Sequence, residues 1–255
     1  MHALLARYAR MIGSPVDALR LRTGESADVV LDDAAGLAWR FPRRPADLAS
    51  LAERMRLVRA HGIPAPEMVE VRDGCLVMRL VRGEPLAPGR EPDLAALTGL
   101  LERLASVPLG PPAEPGWREE WRELVDDVRR LVVPLLGAEQ ARRAVADTMR
   151  ALETAESAPT RFVHGDLGGA NVLISGGAVA GVLEWEAAGP GDPAVDLAAL
   201  SVSLVPGIRE RLAAAFPDLA ARADAYAAAF ALQEAVYGLA EGDASAVEAG
   251  LASYR

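Results

Sequence analysis

The sequence predicts an α/β chain of the α+β kind, with an antiparallel, sheet-rich amino-terminal part and a mostly helical remainder. Three observations carry this. Short strand-like runs separated by turn residues crowd the chain up to about Val81, apolar residues recur at helical spacing after Arg82, and a single island at 161–185 with two β-like runs interrupts the helices. The length of 255 residues suits one large domain or two small lobes around a cleft.

Val16 to Arg22 and Ala27 to Leu31 are β-compatible runs around Thr23-Gly24-Glu25-Ser26, and Asp32 to Gly36 separates them from Leu37 to Phe41, which makes an antiparallel meander. Pro45 then stands at a first-turn position for a helix carrying Leu48, Leu51, Ala52, Met55 and Val58, which His61-Gly62 stops. Beyond it, Met68 to Val71 and Cys75 to Val81 flank Arg72-Asp73-Gly74, a hairpin-type turn. Gly83, Pro85, Pro88, Gly89 and Pro92 punctuate a connector. Three helical stripes follow: Leu94, Leu97, Leu101 and Leu104; Trp117, Trp121, Leu124, Val125 and Val128; Val145, Met149 and Leu152. The island pairs 171–174 with 179–185 around Ser175-Gly176-Gly177, and helical signals resume after Pro193. The predicted division is 1–81 for the sheet-rich lobe and 82–255 for the helical one.

Composition narrows the chemistry. With 27 basic and 36 acidic side chains the net charge is -9, which argues against a nucleic-acid partner, since phosphate backbones demand a cationic surplus. The chain contains no Lys, so every cation is Arg, and Schiff-base enzymes, enzymes with an internal pyridoxal-phosphate lysine and P-loops ending in G-K-[ST] are excluded. About one residue in five is Ala, a strong helix former. The one cysteine, Cys75, cannot form an intrachain disulfide, and 3 His leave no dedicated zinc cluster, so a reducing, cytoplasmic setting is expected. No apolar run is long enough to span a bilayer, and Arg7 and Arg10 break the opening run, so neither a membrane span nor a signal peptide is expected.

The island contains His164-Gly165-Asp166-Leu167-Gly168-Gly169-Ala170-Asn171, a carboxylate followed five positions later by a carboxamide in an irregular loop before a strand. Protein-kinase catalytic loops place an Asp base and a metal-binding Asn at this interval. Glu184, in Gly181-Val182-Leu183-Glu184-Trp185-Glu186, supplies a third oxygen ligand as the chain leaves the next strand. Asn171 and Glu184 are hard oxygen donors of the kind magnesium takes, with nucleotide phosphates and water completing its shell.

This H-G-D-x-x-x-x-N loop, followed by V-L-E-W-E and by Gly191-Asp192-Pro193-Ala194-Val195-Asp196-Leu197, resembles the aminoglycoside phosphotransferase family, small-molecule relatives of protein kinases. Trp39 to Pro45 and Phe230 to Gly238 look most like its macrolide 2'-phosphotransferase branch. The resemblance implies a two-lobed, protein-kinase-like fold that uses ATP or GTP with Mg2+ and phosphorylates a hydroxyl of a small-molecule acceptor, macrolide-like rather than aminoglycoside. It also implies the residue roles. Asp166 would deprotonate the acceptor, Asn171 and Glu184 would hold metal, and Arg40 would contact the nucleotide phosphates with Glu53 as its anchor. The turn with Gly24 and Ser26 would cover the phosphates, the segment with Met78, Arg79 and Val81 would meet the base, and His164 and Asp196 would brace the catalytic loop. Two positions depart from the family pattern, Arg40 where Lys is usual and Glu184 where Asp is usual, the latter extending the carboxylate by roughly 1.5 Å toward a shell with bonds of about 2 Å.

Blander roles are open for several residues. Glu53 lies among Arg54, Arg56 and Arg59, where a surface ion pair serves as well. Arg43 and Arg44 read as a solvated loop, Glu119, Glu120, Glu123, Asp126 and Asp127 as a charged outer face, and Tyr226, Phe230 and Tyr237 as core. Two other functions fit the same residues: a nucleotide-binding pseudokinase or regulatory module, and a metabolic kinase acting on an amino alcohol or sugar.

Overall fold

A computed structural model of the chain describes residues 2–24, 26–72, 74–87, 89, 93–110 and 116–254. Glu25, Asp73, Pro88 and Pro92, named above in turns and the connector, lie outside the described residues. In chain order the elements are α1 (His2–Ile12), β1 (Leu19–Thr23), β2 (Ala27–Asp32), β3 (Leu37–Pro42), α2 (Leu48–Ala60), β4 (Met68–Arg72), β5 (Cys75–Arg79), β6 (Glu84–Pro85), α3 (Leu94–Ser106) and α4 (Trp117–Asp127). They continue with α5 (Ala138–Ser157), β7 (Arg161–Val163), β8 (Val172–Ser175), β9 (Ala178–Val182), β10 (Gly189–Gly191), α6 (Pro193–Val202), α7 (Pro206–Ala215), α8 (Pro217–Glu241) and α9 (Ala244–Leu251). This is the mixed fold the sequence predicts, an antiparallel sheet lobe and a helical lobe.

The chain forms two compact units, Met1–Pro85 with Asn171–Glu186, and Leu86–Ala170 with Ala187–Arg255. The boundary expected at 81/82 therefore needs correction, because the 171–186 segment belongs with the sheet. The reason is hydrogen bonding: Glu84 and Pro85 pair with Ile174 and Leu173, and the Val182 N–H donates to the Pro64 carbonyl at 2.9 Å.

In the first unit an antiparallel sheet runs in the order β1-β2-β3-β5-β4. Its core joins Leu19, Val30, Trp39, Phe41, Cys75 and Val77 to Tyr8 and Ala9 of α1, a helix the sequence does not predict. The signal was present, since Leu4, Leu5, Tyr8 and Ile12 follow helical spacing, and all four pack on the sheet. Tyr8 stacks on Phe41 with ring centroids 4.3 Å apart and donates its hydroxyl to buried Asp28 at 2.8 Å. Arg43, expected in a solvated loop, gives Asp28 its ion-pair partner at 2.8 Å. Helix α2 buries the expected Leu51, Ala52, Met55 and Val58, but it starts at Leu48 with Asp47 as its cap, accepting the Ser50 N–H at 3.0 Å, so Pro45 precedes the helix.

The second unit is helical apart from the paired strands β7 and β10, three residues each and too short to leave a periodic signal. Leu97, Leu101 and Leu104 of α3 are buried as expected, together with Leu100. On α5 the buried face is Ala144, Thr148, Ala151 and Ala155, not the larger Val145, Met149 and Leu152, which are half-buried. Helix α8 likewise buries Ala223, Ala225, Ala229 and Ala235 around Tyr226 and Leu232. Small side chains let α5 and α8 pack closely, so bulk is a poor guide to which face turns inward. Of the three aromatics read as core, Tyr226 is fully buried, Phe230 is half-buried and Tyr237 is exposed. Among the described residues no helix is long and apolar enough to cross a membrane.

Candidate active site

In the helical unit, the chain leaves β7 at Val163 and enters the loop of His164 and Asp166. Both oxygens of Asp196, in the first turn of α6, accept backbone N–H groups from this loop: His164 at 2.7 Å and Gly165 at 2.9 Å. Gly165 has φ +82°, and a Cβ there would stand 2.6 Å from the Ala187 carbonyl oxygen, so only glycine makes this turn. His164 is fully buried, and its Nδ1 accepts the Asp166 N–H at 3.2 Å, which requires an unprotonated Nδ1 and fits a structural imidazole. Leu167 is fully buried and the Gly169 N–H donates to the Ser203 hydroxyl at 2.9 Å. The loop is thus fixed on both sides of Asp166, whose own residue is exposed.

Burial pushes the Asp196 carboxyl up to about 7, against the two backbone donors that lower it, and nearby Asp166 raises it further. The helix carrying Asp196 is itself anchored. Asp192 caps it through the Ala194 N–H at 3.1 Å, pairs with Arg222 at 2.8 Å and accepts the Tyr226 hydroxyl at 3.1 Å, with its own side chain fully buried.

In the sheet unit, β8 and β9 form a hairpin whose turn places Gly176 at φ 58° and Gly177 at φ 80°, the left-handed pair a two-residue hairpin needs. At the other end the Leu183 N–H donates to the Asn171 carbonyl at 2.8 Å, which brings the backbones of Asn171 and Glu184 to the same end of the hairpin. Glu184 has φ 57°, the one positive φ among described residues other than glycine. Such backbone costs on the order of 1 kcal/mol for a side chain of this type and concentrates at functional sites.

Arg40 sits in β3 between β2 and β5, with its side chain 6% exposed. Its Nη2 approaches Glu184 Oε2 at 3.2 Å and the Ser26 hydroxyl at 3.1 Å, and pairs with the Glu186 carboxylate. Ser26 in turn donates to Glu184 Oε2 at 3.2 Å. Burial pushes the Glu186 carboxyl up, with Arg40 pulling it down and Glu184 adding to the rise. Glu53 is exposed, and among the described ion pairs Arg40 meets Glu184 and Glu186, which corrects the expected Glu53 anchor. Its neighbour Arg54 faces this segment instead, donating to the carbonyls of Trp185 and Glu186 at 2.8 Å each. Buried Trp185 closes the turn with an indole N–H to the Val182 carbonyl at 2.8 Å. Sequence reasoning missed Glu186, Arg54 and Ser203. Glu186 stands in the sequence as a second carboxylate two positions after Glu184, but the left-handed backbone at Glu184 takes the segment out of the strand periodicity that would show which way it points.

The segment expected to meet the nucleotide base needs narrowing. Met78 is buried within β5, the Arg79 N–H donates to the Glu67 carbonyl at 2.8 Å and the Leu80 N–H to the Gly36 carbonyl at 2.9 Å, so of the named residues only Val81 lies beyond the strand. Gly24 closes the β1–β2 hairpin through its N–H to the Ala27 carbonyl at 2.9 Å.

Among the described residues no group of three or more His, Cys, Asp or Glu gathers as a metal site. The carboxamide of Asn171 and the carboxylate of Glu184 are both hard oxygen donors, and Glu184 keeps 36% side-chain exposure. Donors of this chemistry are compatible with magnesium, which takes few protein ligands when substrate phosphates supply the rest.

A family model described as the phosphotransferase enzyme family matches residues 17–231. Viomycin phosphotransferase from Streptomyces vinaceus is 38% identical over 147 residues, covering 53% of this chain and 50% of that protein, so the match spans about half the length of this curated relative. The fold is similar to that of macrolide 2'-phosphotransferase MphH from Brachybacterium faecium, with a TM-score of 0.67, 23% identity and coverage of 99% and 97% of the two chains. It is also similar to the GDP and kanamycin complex of APH(2")-IIIa, with a TM-score of 0.77, 16% identity and coverage of 97% of each chain.

Proposed function

The chain belongs to the phosphotransferase enzyme family, and from that membership we propose that it moves the γ-phosphoryl group of ATP or GTP to a hydroxyl of a small molecule, an antibiotic first among the candidates. The observation that carries this is the Asp166 loop. Its backbone is held by Asp196 and His164 on one side and by Ser203 on the other, so the exposed carboxylate is presented on a fixed frame. Phosphoryl transfer depends on positioning and charge neutralisation more than on covalent chemistry by the protein.

In this reading Asp166 accepts the proton of the acceptor hydroxyl and orients its oxygen. Arg40 grips phosphate oxygens with its planar fork, a role in which it matches Lys in charge and exceeds it in directionality. The hairpin around Gly24 and Ser26 covers the phosphates, and the segment ending at Val81 meets the base. Asn171 and Glu184 would hold magnesium, which would supply positive charge against the negative charge developing on the phosphates. A cytoplasmic setting goes with this reading, where nucleoside triphosphates are available.

The acceptor is a separate proposal. The segments that favour a macrolide have structural duties: Trp39 and Phe41 lie in the sheet core. The 38% identity over 147 residues to a viomycin phosphotransferase favours viomycin instead.

The test is γ-phosphate transfer from radiolabelled ATP and GTP, with magnesium, to viomycin, a macrolide and kanamycin. Transfer to any of them that Asp166→Asn abolishes supports the function, and the acceptor with the highest kcat/KM decides between the acceptor readings. Nucleotide binding without transfer to these or to small amino alcohols and sugars would favour the pseudokinase, and transfer to an amino alcohol or sugar alone would make the chain a metabolic kinase.

A further inference from the structure

Arg40 is a long side chain on an interior strand, and with 6% exposure its guanidinium needs fixed acceptors to hold both its charge and its direction. The structure offers two carboxylates, Glu184 and Glu186, and the Ser26 hydroxyl, all meeting Nη2. Glu184 cannot be a full-time anchor if it is also a metal ligand, because a carboxylate drawn to a cation turns its charge away from Arg40. Glu186 has no such second duty. Its backbone is fixed from α2, where Arg54 donates to the carbonyls of both Trp185 and Glu186 at 2.8 Å, and Trp185 is buried. Glu53, the acidic residue of α2, faces solvent.

We propose that Glu186 is the positioning residue for Arg40, that Arg54 holds Glu186 in place through the backbone, and that the two carboxylates divide their work, Glu184 toward the metal and Glu186 toward the arginine. This rests on the reading that Arg40 contacts nucleotide phosphates. The arrangement replaces one helix-to-strand ion pair by a relay: α2 holds the segment after β9 through a guanidinium on carbonyls, and that segment holds the strand arginine through a carboxylate. It also accounts for the two neighbouring carboxylates in V-L-E-W-E, both of which reach Arg40.

Two measurements on the full chain test it. The first is a double-mutant cycle in thermal melting without nucleotide, using Arg40→Gln with Glu186→Gln and Arg40→Gln with Glu53→Gln. The Glu186 cycle is expected to miss additivity by about 2 °C or more and by more than the Glu53 cycle. Additive shifts for Glu186, or larger coupling for Glu53, overturn the proposal and leave the phosphotransferase function standing. The second is calorimetric affinity for ATP and GTP with magnesium. Glu186→Gln should weaken binding about tenfold, Glu186→Asp should restore part of it, and in an Arg40→Gln background Glu186→Gln should add little further loss. Tighter binding in Glu186→Gln would show a competitor of phosphate rather than an anchor and overturn the proposal. If the Glu186 cycle couples but the wild-type chain binds neither nucleotide, the functional reading fails, and the role of Arg40 toward phosphate fails with it.

Discussion

The carboxylate of Asp196 accepts the backbone N–H of His164 at 2.7 Å, thirty-two positions away in the chain. With Gly165 on its second oxygen at 2.9 Å, it is the fixture on which the turn before Asp166 hangs. Asp196→Ala leaves two N–H donors without their acceptor, at about 1–3 kcal/mol each. We expect a fall in melting temperature of several degrees and, because the loop loses its frame, a loss of transfer larger than the change in nucleotide affinity. Asp196→Asn, which keeps one acceptor, should fall between the two. An alanine variant as stable and active as the parent would rule out the bracing role.

The same carboxyl gives a pH dependence with a definite sign. Its ordinary value is 3.8, and burial raises it to about 7 in the folded chain. Between these values the folded protein holds a proton that the unfolded chain has released, so stability falls as pH rises through this window. The effect is absent below the ordinary value and complete above about 7. Denaturant midpoints across the window should show this slope in the parent and a smaller one in Asp196→Asn. Equal slopes would remove Asp196 as the cause.

Asp166→Asn should leave nucleotide affinity nearly intact while transfer drops about a hundredfold or more, the usual worth of general-base assistance. Single-turnover transfer and calorimetric nucleotide binding separate the two quantities. Turnover within a factor of a few of the parent would place the base elsewhere.

Glu184, proposed above as a metal ligand, has a left-handed backbone at φ 57°. Asp visits that region more readily than Glu, so Glu184→Asp should hold or raise the melting temperature, and its shorter reach should preserve magnesium-dependent nucleotide binding. Glu184→Ala should weaken that binding, and Glu184→Val, a branched residue at positive φ, should be the least stable of the three. Magnesium dependence unchanged in the alanine variant would contradict the ligand role.

Asp192 is fully buried, caps α6, and holds Arg222 and Tyr226 together. Removing one partner of a buried pair costs about 3–5 kcal/mol, so Asp192→Ala should be the most destabilising single change named here. Tyr226→Phe, losing one hydrogen bond, should cost about 1 kcal/mol. Urea unfolding of both variants checks the order, and a smaller loss for Asp192→Ala than for Tyr226→Phe would refute it.

Most of the element order is legible in the sequence, though not α1, β6, β7 or β10, and the candidate site residues stand out there too. The meander ending at Phe41, the stripe of α2, the glycine turn at 176–177 and the spacing from Asp166 to Asn171 to Glu184 are all local patterns, and local patterns survive in a one-dimensional text. Tertiary structure alone decided which partners those residues take. Glu53 and Glu186 are equally acidic in sequence, yet only the path of the chain after β9 and the grip of Arg54 on its carbonyls give Arg40 to Glu186. The face of α5 that turns inward was likewise hidden, because close packing selects small residues at Ala144, Ala151 and Ala155 over the bulkier stripe beside them. The 171–186 hairpin joined the sheet unit through strand pairing with Glu84 and Pro85, a long-range hydrogen-bond choice that no window of neighbouring residues encodes.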